Sequence, residues 1–173
     1  SEVYDLIKDS IGFSLLTNGA FDITVFPLTK LWKKSERSGK LPDKESIAKV
    51  KNMVGYKYID LSKTDTVFLA KEGAKLDLGA IAKGYAVDEI AKILIQNRVK
   101  NFMIDAGGDI YCNGKKGGKR KWRIGVKDPT NKTVMLDTIK LKNLAVTTSG
   151  NYERFYTIED KTFSHIIDPR TGY

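Results

Sequence analysis

The sequence predicts an α+β fold of mixed and antiparallel sheets with a few packed helices. Segments with strand character clearly outnumber those with helical periodicity, and they arrive in runs. Hydrophobic residues make up 41% and charged residues 29%, so the chain can bury a core and is not compositionally disordered. A length of 173 residues suits one domain, and residues 1–173 are read as one.

Ser1 to Leu16 reads as a helix, with Val3, Leu6, Ile7 and Ile11 on one face. The turn signal Thr17-Asn18-Gly19 follows, then an apolar stretch from Ala20 to Leu31. Lys33 to Lys44 is polar, carries Gly39 and Pro42, and reads as a surface excursion. Asp43 or Ser46 can cap a short helix running to Met53. Tyr56 to Leu61 and Thr66 to Ala70 read as short strands around a polar turn. The clearest helix is Ile81 to Gln96, where Ala82, Ala86, Ile90, Ile93 and Leu94 share a face. Strands from Phe102 to Asp105 and from Asp109 to Cys112 flank Ala106-Gly107-Gly108. Asn113 to Lys121, rich in glycine and lysine, reads as a hairpin tip. Further strands are expected from Trp122 to Lys127, Thr133 to Leu141, Leu144 to Thr148, Asn151 to Thr157 and Phe163 to Ile167. Asp168 to Gly172 then forms a turn.

Composition removes several classes of function. A single cysteine, Cys112, excludes an internal disulfide framework and a Cys-rich zinc site. A single histidine, His165, excludes a His-cluster metal site. No apolar run approaches the roughly 20 residues that cross a bilayer, and no signal peptide is visible in these residues. The net charge of +9 favours anionic partners.

Five segments can carry chemistry, and each also has a plainer reading. Asp77-Leu78-Gly79-Ala80-Ile81-Ala82-Lys83-Gly84-Tyr85 stands at the entry of the strong helix, where free N–H groups and Lys83 suit a phosphate. Alternatively, Asp77 caps that helix and Gly84 allows close packing. Asp105-Ala106-Gly107-Gly108-Asp109 offers two carboxylates for a metal or a ribose, or is simply a tight turn. His165, at a strand end beside Ser164 and Asp168, is a general base or a structural histidine. Thr147-Thr148-Ser149-Gly150, leading into Asn151 to Arg154, is a hydroxyl-rich phosphate turn or an ordinary strand end. Lys115 to Lys121 is the best case for nucleic acid, yet only Trp122 adjoins it as an aromatic, and a solvated hairpin tip is the stronger reading.

Taken in order, these segments carry more than each does alone. Gly19-Ala20-Phe21-Asp22-Ile23-Thr24-Val25, Leu76 to Asp88, Asp105 to Asp109, Thr147 to Gly150 and Ser164 to Gly172 together resemble the FAD:protein FMN transferase family. These are the ApbE-type flavin transferases, formerly labelled thiamine-biosynthesis lipoproteins. The likeness runs from about Asn18 to the last residue. It implies an ApbE-like fold and a magnesium-dependent reaction. In that reaction FAD is split, FMN is joined to a threonine or serine hydroxyl of an acceptor flavoprotein, and AMP leaves. It implies acceptors such as subunits of membrane redox pumps, and a lipid-anchored parent on the periplasmic or outer face of the cytoplasmic membrane.

The resemblance also assigns residues. Ala20, Phe21 and Asp22 look like the lining of the FAD site, and Asp77 like a carboxylate on a polar edge of FAD. The backbone carbonyl of Ala80 resembles a Mg2+ ligand, and Lys83 a contact to FAD. His165 and Ile166 match the segment beside the flavin and the reacting phosphate, with His165 as the base. Phosphoryl transfer depends on positioning and charge neutralisation, and magnesium prefers oxygen ligands, so these residue types fit that chemistry. The family pattern begins before the first helix here and continues past Tyr173 into a metal-ligand helix. The chain is therefore expected to be a central part of a longer member. Two other readings stay open: a non-catalytic FAD- or nucleotide-binding module, and a basic nucleic-acid-binding domain. FMN transfer to a threonine peptide separates the enzyme from the first, and salt-sensitive oligonucleotide binding identifies the second.

Overall fold

A computed structural model describes residues 1–131, 133–150 and 155–173. It is an α+β fold with four α-helices and small antiparallel sheets among the described residues. The chain divides into two compact units, residues 1–81 with 153–173, and residues 82–152.

The first unit opens with α1 (Glu2–Leu16). Its buried stripe is Leu6, Ile7, Ser10 and Ser14, while Val3 is exposed. The two buried serines satisfy themselves by donating to carbonyls one turn back, Ser10 to Leu6 and Ser14 to Ser10. A short 3₁₀ turn, Ile23–Val25, leads into α2 (Phe26–Ser38), which ends on a left-handed Gly39. The predicted surface excursion from Lys33 is thus helical as far as Ser38. Leu28, Trp32 and Ser35 form a buried stripe that the surrounding lysines hide in the sequence. Asp43 caps α3 (Lys44–Lys51), as one of the two expected caps, by accepting from the Ser46 N–H at 2.6 Å. The expected strand pair is present but short, β1 (Ile59–Asp60) with β2 (Phe68–Leu69), and Tyr56–Tyr58 is a 3₁₀ turn instead.

Two apolar clusters hold this unit. Ile7, Ile23 and Ile59 form one, with Phe21, Leu76 and Leu78 packed against it. Leu28, Trp32, Ile47, Tyr156, Ile158 and Ile167 form the other. The second joins α2 and α3 to a C-terminal hairpin, introduced here as β8 (Phe155–Ile158) and β9 (Lys161–Ser164) because five strands of the other unit precede it. The strand expected from Phe163 to Ile167 therefore ends at Ser164. Of the strand expected from Asn151 to Thr157, residues 151–154 lie outside the described residues.

The second unit begins with α4 (Ala82–Gln96), which lies against β3 (Phe102–Asp105) and β4 (Ile110–Asn113). Its buried residues are Val87 and Ala91, with Leu94 half-buried. Of the face expected to be core, Ala86, Ile90 and Ile93 are exposed. The helix is apolar on several sides, so periodicity alone does not choose a face, and small Ala91 allows the close approach to the sheet. β4 also pairs with β7 (Leu144–Val146), giving the order β3-β4-β7. β5 (Trp122–Lys127) and β6 (Met135–Leu141) make a separate ladder. Asn113 to Lys121 is consequently no hairpin tip between paired strands. It links two ladders and closes its own small turn through a Lys116–Arg120 bridge. Cys112 is fully buried, and burial pushes its thiol pKa up. Among the described residues no helix is long and apolar enough to cross a membrane.

Candidate functional site

The first unit brings together three of the sequence motifs. After α1 the chain turns through Asn18 and Gly19, both at positive φ, and Gly19 donates to the Ser14 carbonyl at 2.8 Å. Thr17 Oγ1 accepts from the Phe21 N–H at 3.0 Å, which fixes the path of Ala20 and Phe21. Ala20 is exposed, and Phe21 is half-buried with its ring edge-on to Phe13.

Asp22 is buried and organises the next step. Its Oδ1 accepts from the Thr24 N–H at 2.8 Å and the Thr24 hydroxyl at 2.6 Å. Its Oδ2 accepts from the Tyr56 N–H at 2.7 Å, and Thr24 Oγ1 accepts in turn from the Gly55 N–H at 2.7 Å. A buried carboxylate is costly unless donors surround it, and here three do so. Asp22 thus ties two loops 34 residues apart, a bracing role that the sequence does not display.

Beside this knot lies a cleft of about 300 Å³, with Asn18, Gly19, Asp22, Tyr56, Lys57 and Arg170 in its lining. Asp77 joins the same region from a third segment. Its N–H donates to the Ile23 carbonyl at 2.7 Å, and its half-buried carboxylate accepts from the Gly79 N–H at 2.8 Å. That Asx turn replaces the expected helix cap, since α4 begins only at Ala82. Ala80 is exposed in the turn that follows.

The last motif starts at the end of β9. Ser164 Oγ accepts from the Ile166 N–H at 3.0 Å, closing a turn around half-buried His165 and leaving Ile166 half-exposed. Arg170 grips Asp168 with two nitrogens, Nη2 at 2.7 Å and Nε at 3.0 Å. That guanidinium lowers the Asp168 pKa, and the carboxylate raises that of Arg170. The neighbouring Gly172 carbonyl accepts from the Trp32 indole.

The second unit gathers the other two motifs. Lys83, in the first turn of α4, places Nζ 2.7 Å from Asp109 Oδ2, and the Thr147 hydroxyl donates to Asp109 Oδ1. Lys83 is the chief cause of a lowered Asp109 pKa, with Thr147 adding to it. Asp105 accepts instead from the Gly108 N–H at 2.9 Å. The two carboxylates around the glycine pair are therefore engaged separately. Gly107 and Gly108 take positive φ, as the tight turn requires. Among the described residues no group of three or more His, Cys, Asp or Glu side chains is arranged to hold a metal ion. Neither the Lys83–Asp109–Thr147 cluster nor the entry of Tyr56 and Arg170 into the cleft is displayed by the sequence. Each joins segments far apart in the chain.

Comparison with known proteins matches this architecture throughout. The solved ApbE protein of Thermotoga maritima is 40% identical, with a TM-score of 0.90 over 100% of this chain and 57% of its own. The apo flavinyl transferase ApbE of Pseudomonas stutzeri is 28% identical, with a TM-score of 0.83 over 99% of this chain and 54% of its own. An FAD:protein FMN transferase of Klebsiella pneumoniae is 34% identical over 173 residues, which are 99% of this chain and 53% of that protein. The chain thus spans about half the length of the curated relatives it matches. The family model described as the ApbE family matches residues 1–173, every residue of the chain, and the chain belongs to that family.

Proposed function

We propose that this chain supplies flavin-binding and base residues for transfer of FMN from FAD to a threonine or serine hydroxyl of an acceptor flavoprotein. The observation that carries the reading is the cleft beside Asp22, where the Asn18–Asp22 segment faces Arg170 of the motif that contains His165. In the proposed reaction the acceptor oxygen bonds to the FMN-side phosphorus of FAD. The bond from that phosphorus to the bridging oxygen breaks, and AMP departs with that oxygen. His165 takes the proton of the attacking hydroxyl. Ala20, Phe21, Asp22, Asp77 and Ile166 line or orient FAD, with Asp22 acting by bracing the cleft wall.

Magnesium dependence is part of the proposal, with the Ala80 carbonyl as one ligand. A neutral carbonyl alone does not satisfy a cation that demands six oxygens. The described residues by themselves therefore do not make up the ligand set, and no step here runs through the metal. We assign the acceptor to a redox-pump subunit or a similar extracytoplasmic protein, and the parent protein to a lipid-anchored position at the membrane. Incubation of a form extended to the length of its relatives with FAD, magnesium and a threonine-bearing acceptor peptide tests the reading. A mass gain of one FMN on the peptide, with AMP released, supports it. FAD binding without transfer would leave only a flavin-binding module.

A further inference from the structure

We infer that the outer face of the β5–β6 ladder, with the loop leading into it, docks on an anionic phospholipid bilayer. This face is independent of the flavin reading, and the charge is distributed unevenly along the chain. Residues 82–152 hold 14 Lys and Arg against 6 Asp and Glu, a net +8 out of the chain's +9. The other unit is close to neutral.

Folding concentrates that excess. The ladder register sets Arg123 directly opposite Lys140, and Gly125 opposite Thr138. Side chains alternate along a strand, so these positions share one face. The opposite face carries half-buried Trp122 and Ile124 with buried Leu141. Like charges directly opposite each other destabilise a strand pair, and neither Arg123 nor Lys140 takes part in an ion pair among the described residues. An external anion would neutralise both. Lys121, two residues before Arg123, continues that alternation, and the loop that leads into the ladder adds Lys115, Lys116, Lys119 and Arg120, all but half-buried Lys115 exposed. Gly117 and Gly118, at positive φ with open space around them, let it turn back on itself.

Three features select lipid over nucleic acid. Lysine dominates, and an ammonium is a point charge without the guanidinium fork that reads individual phosphates and bases. The adjoining aromatic, Trp122, is half-buried and donates its indole N–H to the Asn113 carbonyl at 3.1 Å, so it offers no stacking platform. A β-carbon placed on Gly125 would overlap the Met135 thioether, so that side chain lies on the basic face itself. Met135 is 56% exposed. An exposed, unbranched apolar side chain among cations suits the headgroup boundary of a bilayer.

The test is sedimentation of the full chain with phosphatidylcholine vesicles, with and without phosphatidylglycerol, at low and high salt. Binding is expected only with phosphatidylglycerol and is expected to weaken with salt. Arg123→Gln with Lys140→Gln should weaken it about 25-fold, at about fivefold per cation. The same double variant should keep or raise the urea midpoint, because it removes a like-charge pair, so lost binding would not reflect unfolding. Equal binding to both vesicle types, binding to neither, or a change under about twofold in the variant overturns the inference. Tighter salt-sensitive capture by a random oligonucleotide than by the anionic vesicles also overturns it and assigns the face to nucleic acid.

Discussion

The indole N–H of Trp32 donates to the carbonyl of Gly172 at 2.9 Å, across 140 residues of sequence. Trp32 is almost fully buried, with Phe163 and Tyr173 ring centroids 5.1 and 6.0 Å away. The turn that follows His165 is thereby anchored to α2, a rigid element, and not left to its own hydrogen bonds.

Gly172→Ala should therefore destabilise the fold by about 2–4 kcal/mol. Its φ of +88° costs an L-residue about 1–2 kcal/mol, and a new β-carbon would stand 2.6 Å from Ile47 Cγ2. Urea denaturation of the variant measures the loss. A midpoint equal to that of the parent chain would mean that this turn does not constrain the fold.

The Asp22 knot predicts a coupled pair. Asp22→Ala orphans the Tyr56 N–H and both Thr24 donors, and Thr24→Val orphans the Gly55 N–H. Each should cost about 2–3 kcal/mol, and together they should cost clearly less than the sum, because they share a bond. A double-mutant cycle on unfolding free energies checks this, and strict additivity would contradict the network.

How far the sequence displayed this fold depended on the range of the interaction. The Asp43 cap is read within three residues and is found as expected, and the glycine turn between β3 and β4 likewise. The stripe Leu28-Trp32-Ser35 was obscured because four basic residues between Lys30 and Arg37 dominate composition while facing away from the core. Periodicity points to the wrong core face of α4 because Ile90 and Ile93 are more hydrophobic than the Val87 and Ala91 that are buried. Motif order, by contrast, identified the family, since order depends on no contact. Which partner satisfies Asp22 or Asp109 depends on loops 34 and 38 residues away, and no local pattern encodes that.

Acid should erase the contribution of Asp109. Its folded pKa is depressed, chiefly by Lys83, so its stabilisation is complete above the ordinary carboxylate pKa of about 3.9. It is lost as pH falls through the lowered folded value. Asp109→Asn should therefore be less stable than the parent chain at neutral pH, and the gap should close below about pH 4. The gap should not exceed about 1 kcal/mol, because Lys83 is 57% exposed and solvent screens the pair. Thermal melts at several pH values follow it, and a gap that widens in acid would reverse the sign argued here.

Neutralising Lys115, Lys116, Lys119 and Arg120 should leave FAD affinity within about threefold, under ~1 kcal/mol. The loop closes on itself through the Lys116–Arg120 bridge and none of the four contributes to the cleft beside Asp22. Fluorescence titration of FAD measures the effect, and a loss beyond about tenfold would draw the basic loop into the flavin site.

The sharpest prediction concerns His165. The turn closed by Ser164 Oγ and the Ile166 N–H, together with the Trp32–Gly172 bond beyond it, holds the segment on both sides of the imidazole. A general base held in this way acts mainly on the bond-making step, whereas a residue that only contacts flavin acts on binding. His165→Gln keeps a polar side chain of similar reach but removes the basic nitrogen. In a form extended to the length of its relatives, the proposed FMN transfer should fall by about a hundredfold or more, the usual contribution of a positioned base. FAD affinity should fall by less than about tenfold, or ~1.4 kcal/mol. Rapid-mixing flavinylation and FAD titration on the same protein separate the two effects. Raising the pH should recover part of the lost rate, since hydroxide then takes over the deprotonation proposed for the imidazole. An equal loss of affinity and rate, with no recovery at high pH, would make His165 a flavin contact and place the base elsewhere.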